Sequence, residues 1–165
     1  MACPCGKPLI SKGSTRDKQG IAPPGQFGGP FIDDLFLGRL DPAAHPYFAG
    51  IYQLQVSAHC LIRRDGELVQ YVPFSARAWH AGLSSWQGRA ACNDFSIGIE
   101  LEGTDLIPYT EWQYTRLAAL SRAIVARYPA ITAANIVGHC DIAPGRKTDP
   151  GPAFDWPRFH RLLAD

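Results

Sequence analysis

The sequence has 165 residues, of which 46% are hydrophobic and 19% charged, with a formal net charge of +1. This fits one globular domain that buries roughly two thirds of its unfolded surface and needs neither disulfides nor metal merely to fold. Scattered Lys and Arg argue against a nucleic-acid surface, and no stretch approaches the about 18 apolar residues of a membrane span.

Residues 1–20 are polar, without the apolar core of a secretory signal. Five cysteines (Cys3, Cys5, Cys60, Cys92 and Cys140), odd in number and widely spaced, point to reduced thiols and a cytoplasmic protein. Cys3 and Cys5 resemble half of a metal clip, but no second clip follows. Gly6 to Gly20 shows no period of 2 or 3.6, so residues 1–22 are expected to form a disordered leader and residues 23–165 the domain.

After Pro23-Pro24-Gly25, a short helix is expected over Phe31–Leu37, stopped by Gly38. Val56–Arg64 and Glu67–Val72 read as strands of a hairpin turned by Asp65-Gly66. Residues 73–93 form a long segment with Gly82, Gly88 and two Trp, of a length that is usually functional or partly helical. Phe95–Leu101 alternates strictly, with Ser96, Gly98, Glu100 and Glu102 opposite the apolar face. Thr110 and Gln113 form a capping box for a helix that Pro129 ends near Tyr128. Asn135–His139 reads as a short buried strand, and Asp155 caps a last helix. The order predicts an α/β fold: a single domain with a mixed central β-sheet flanked by α-helices and no regular N-terminal strand.

The segment from Gly138 to Gly151 concentrates His139, Lys147 and Asp149 after a strand. His139 and Asp149 can reach one metal ion, with Lys147 beside it to face a developing oxyanion. A satisfied strand-end histidine and a solvated loop explain the same residues. Glu100, in an apolar strand, reads as a general acid or base, or as a solvated edge carboxylate; Glu102, further along, is expected to face solvent.

Five motifs in order decide between these readings: Ser57–Gly66, Arg77–Gly82, Asn93–Thr104, Gly138–Pro144 and Lys147–Gly151. Together, from about Pro23 to the C-terminus, they resemble the AmpD-type N-acetylmuramoyl-L-alanine amidases. The resemblance implies a peptidoglycan-recognition-like α/β fold and Zn2+ as cofactor. It also implies hydrolysis of the amide joining 1,6-anhydro-N-acetylmuramic acid to L-alanine, in peptidoglycan recycling. His139 and Asp149 match zinc ligands, Glu100 the catalytic acid/base, and Lys147 the transition-state stabiliser. His59 reads as a buried, hydrogen-bonded histidine. Trp79, Arg89 and Asn93 are candidates for substrate contact, with ordinary core and surface roles left open. The expected partner is a small anhydro-muropeptide, with no nucleic acid or membrane, bound by a monomer.

One departure stands out. The family's third zinc ligand is a His in an apolar strand shortly before Pro-Pro-Gly. Here that region reads Thr15 to Ala22, with Lys18 or Gln19 at the ligand position. An alternative therefore stays open: a catalytically impaired muropeptide-binding protein of the same fold.

Overall fold

The computed structural model describes residues 9–13, as backbone, and residues 27–165. The described strands β1 (Leu9–Gly13), β2 (Cys60–Ile62), β3 (Leu68–Gln70), β6 (Ile97–Leu101) and β7 (Ile136–Gly138) form a sheet ordered β3-β2-β6-β1-β7. Only the β2–β3 pair is antiparallel, so the sheet is mixed, as expected.

The expected absence of an N-terminal strand is corrected. β1 pairs in parallel with both β6 and β7, inside the sheet beside the edge strand β7. A strand with partners on both edges is specified by its ladder, so the brief apolar pair Leu9-Ile10 suffices without alternation. In that register Lys12 lies opposite Glu100. Lys18 and Gln19 fall outside the described residues, as does the rest of the expected leader over residues 1–22 apart from β1.

The hairpin turns at Asp65-Gly66, where Gly66 adopts φ +87°. Its strands are shorter than the apolar runs suggest because the His59 carbonyl accepts from both Tyr71 (3.0 Å) and Val72 (3.4 Å), which interrupts regular pairing. The long segment before β6 contains a second small hairpin, β4 (Ser85–Trp86) with β5 (Arg89–Ala90). It turns on Gln87 and Gly88, both with positive φ.

Helix α1 (Phe31–Phe36) packs Leu35 with Leu40, Phe48 and Ile51 in a small cluster. Helix α2 (Glu111–Arg127) starts with the expected capping box: Thr110 Oγ1 accepts from Gln113 N (3.2 Å), and Gln113 Oε1 from Thr110 N (3.1 Å). The sequence reading extended β7 to His139; instead His139 opens the short helix α3 (His139–Ile142). Asp155 caps α4 (Trp156–Ala164) by accepting from Arg158 N at 2.9 Å. Ile97, Ile99 and Leu101 of β6 meet Leu117 and Ile124 of α2 and Phe159 of α4 in the main core. Burying one such side chain fully contributes about 1.5–3 kcal/mol. This face of β6 is thus filled, which leaves Gly98 and Glu100 on the other.

Candidate active site

β6 presents Glu100 with only 4% of its surface exposed. β1 lies between β6 and β7, so the strand carrying Glu100 and the strand leading to His139 are two spacings, about 10 Å, apart. Long side chains from the two positions can converge over β1.

His139 (2% exposed) sits where the chain leaves β7 for α3. Its Nδ1 is 3.0 Å from Asp149 Oδ2, and its Nε2 is 3.1 Å from the Ala81 carbonyl oxygen. Asp149 (3% exposed) is held through its own carbonyl, which accepts from Cys140 N at 3.0 Å. The Ala81 carbonyl is fixed in turn. Asn93 Oδ1 accepts from His80 N (3.0 Å) and Ala81 N (2.7 Å), and Arg146 Nη2 donates to Ala81 O (2.8 Å) and Leu83 O (2.7 Å).

A neutral imidazole carries one N–H. With that proton on Nδ1, the ring donates to Asp149 and Nε2 can accept from Arg146 Nη2 at 3.4 Å; with it on Nε2, directed at Ala81, the Nδ1 lone pair meets the Asp149 carboxylate at 3.0 Å. Two acceptors at that distance need a proton or a metal ion between them. Zinc bonds of about 2.0–2.2 Å put neighbouring ligand atoms roughly 3 Å apart, and a backbone carbonyl on the far ring nitrogen is a usual support for a metal-binding histidine. His139 and Asp149 therefore fit two positions of a zinc site. Among the described residues, no group of three His, Cys, Asp or Glu side chains is placed to hold a metal.

Lys147 is half-buried, two residues before Asp149. Tyr109 (5% exposed) donates its hydroxyl to the Pro150 carbonyl at 3.1 Å. Burial first, then the Asp105, Asp149 and Glu100 carboxylates, push its phenol far above the ordinary range, so it stays a donor.

His59 takes the structural role. Its Nδ1 accepts from Gly98 N (3.0 Å), which leaves its Nε2 to donate to Ala76 O (3.1 Å). The His80 ring covers Gly98 so closely that a Cβ there would lie 2.3 Å from it. Trp79 is 51% exposed, with the Arg77 guanidinium 3.8 Å from its ring centre. It lines a groove of about 630 Å³ with Leu37, Tyr52 and Leu54. Arg89 is exposed and stacks on Phe95 at 4.0 Å, whereas Asn93 is buried beneath the site.

Sequence reasoning missed the supports: Asn93 as backbone clamp, Arg146, and Tyr109. Their partners are backbone carbonyls and amides distant in sequence, which no motif displays. Glu102 was expected to face solvent, yet it is 4% exposed and accepts from Gly28 N (2.5 Å) and Arg64 N (3.1 Å).

Residues 32–152 match the N-acetylmuramoyl-L-alanine amidase family model, and the chain belongs to that family. It is 71% identical over 141 residues to the 1,6-anhydro-N-acetylmuramyl-L-alanine amidase AmpD of Citrobacter freundii, covering 86% of this chain and 75% of that protein. It is 69% identical over 142 residues to AmpD of Escherichia coli K12, covering 86% and 77%. A crystal structure of a selenomethionine AmpD derivative superposes with a TM-score of 0.89 at 64% identity, covering 96% of this chain and 85% of that one. E. coli AmiD, solved with anhydro-N-acetylmuramic acid-L-Ala-D-γ-Glu-L-Lys, superposes with a TM-score of 0.71 at 32% identity, covering 98% and 58%.

Proposed function

We propose that this chain hydrolyses the amide between 1,6-anhydro-N-acetylmuramic acid and L-alanine in muropeptides released from peptidoglycan, in the cytoplasm and as a monomer. The observation that carries the reading is the buried His139–Asp149 pair, facing across 3.0 Å just beyond the end of β7, in the same sheet as the β6 strand that carries the buried Glu100. High identity to AmpD proteins over most of both chains supports the substrate. The free Cys60, Cys92 and Cys140 and the lack of a membrane-crossing helix among the described residues are compatible with the compartment.

We assign His139 and Asp149 as zinc ligands. A bound zinc ion would supply Lewis-acid polarisation of water and of the scissile carbonyl. Glu100 takes a proton from the attacking water as its oxygen bonds to the lactyl carbonyl carbon. Glu100 then delivers that proton to the amide nitrogen as the C–N bond breaks. Low exposure favours this role, because it keeps bulk water from the proton that Glu100 carries. The Lys147 ammonium faces the negative charge that grows on the carbonyl oxygen. Arg146 and Asn93 keep the Ala81 carbonyl on His139 Nε2 and so hold the Nδ1 lone pair towards Asp149.

The test is incubation with the anhydro-muramyl tripeptide in the presence of zinc. A peptide released with a free L-alanine amino terminus supports the assignment. Intact tripeptide left by the folded protein refutes it.

A further inference from the structure

Tyr109 joins the end of β6 to the loop that carries Lys147 and Asp149. Its ring lies against Gly103, where a Cβ would fall 2.5 Å from Tyr109 Cε1. Gly103 follows shortly after Glu100, so only a residue without a side chain admits the ring there. The other flank of the ring is fixed by edge contacts with Tyr114 (6.5 Å between centroids) and Phe154 (5.5 Å). The phenol is thus anchored in the core, and its hydroxyl reaches the Pro150 carbonyl at 3.1 Å.

Neighbouring Asp105 adds a second grip. Its carboxylate accepts from Thr148 Oγ1 at 2.6 Å, and its carbonyl accepts from Ala153 N at 3.0 Å. Gly151, at φ +80°, sits so close that a Cβ there would lie 2.5 Å from Asp105 Cα. The loop is held on its other side by the bond from Cys140 N to Asp149 O.

We propose that Tyr109 is a positioning residue for the amide hydrolysis. Its hydroxyl fixes the backbone at Pro150, so that Lys147 and Asp149 keep their place relative to Glu100. This rests on the amidase reading above. A single hydrogen bond contributes only modestly to stability. A shift of about 1 Å in a reacting group can cost roughly 10²-fold in rate. Losing the hydroxyl leaves the buried Pro150 carbonyl unpaired and lowers stability whichever role Tyr109 plays; the rate separates the roles, because a purely structural tyrosine would leave the turnover of the folded fraction unchanged.

Tyr109→Phe removes the hydroxyl and keeps the ring. With the full chain, zinc and the anhydro-muramyl tripeptide, kcat should fall at least ~10-fold while KM changes less than about twofold. Hydrogen exchange of the amides of residues 147–149 and 151 should speed up, with those of α2 unchanged. Gly103→Ala, which pushes the ring aside, should shift both readouts in the same direction. Parental kcat in Tyr109→Phe, or unchanged exchange in the loop, would overturn the proposal. An inactive parent would instead refute the amidase reading, and the exchange measurement alone would then decide whether Tyr109 holds the loop.

Discussion

Glu102 is the sharpest test of how the sheet end is held together. Its carboxylate is 4% exposed and accepts from the backbone N–H groups of Gly28 and Arg64. Glu102→Ala strands both donors. Each unsatisfied group costs about 1–3 kcal/mol, and both bonds are only part-buried, so the low end applies and the sum is about 2 kcal/mol. For a chain of this size, about 2–4 °C of Tm is lost per kcal/mol, so the midpoint should drop by roughly 4–8 °C. Glu102→Gln keeps one acceptor oxygen and should lose about half as much. Urea titration followed by circular dichroism, with a thermal scan of the same samples, measures both. The slope against urea should not change, because the surface exposed on unfolding is the same. A loss in Glu102→Ala below about 0.5 kcal/mol would refute the reasoning, since it would mean that water replaces the carboxylate without penalty.

Three further outcomes follow from the same structure. Glu100→Gln should lower kcat by ~10²–10⁴-fold in steady-state assays while the thermal midpoint stays close to that of the parent, the opposite of Glu102→Ala. With His139 and Asp149 as the two proposed ligands and no third His, Cys, Asp or Glu placed beside them among the described residues, zinc should leave on dialysis against a weak chelator and activity should return on titration with added zinc; tight retention of one ion per chain would show a further ligand. Burial pushes the Cys60 thiol up to about 12 from 9.0. From pH 9 upward the unfolded chain loses this proton while the folded chain keeps it, so stability should decline between pH 9 and 12. Cys60→Ala should flatten that slope in urea titrations across the same range.

The alternation of Phe95 to Leu101, the Thr110–Gln113 box and the Asp65-Gly66 turn are local signals; the box and the turn became the elements expected of them, and the strand formed from Ile97, because Phe95 closes the 3-10 turn before it. β1 was not legible. A five-residue interior strand is chosen by the two ladders beside it, and neither is visible in its own residues. The β4–β5 hairpin was hidden for a similar reason, since two-residue strands carry too little pattern to register. At the site, Glu100 stands out as a carboxylate in an apolar strand, whereas His139 and Asp149 lie in a polar segment and gain their assignment only from the resemblance carried by the five motifs. The environment of each could not be read. Glu102 looks solvent-bound in sequence because the Gly28 and Arg64 amides it caps lie 74 and 38 residues away.

The most direct measurement is hydrolysis of the anhydro-muramyl tripeptide in 18O-water with zinc present, followed by mass spectrometry of both products. The account predicts one heavy oxygen in the lactyl carboxylate of the sugar and none in the peptide, with the same products formed ~10²–10⁴-fold more slowly by Glu100→Gln. Heavy oxygen in the peptide, or intact substrate after exposure to the folded, zinc-supplied parent, would contradict it.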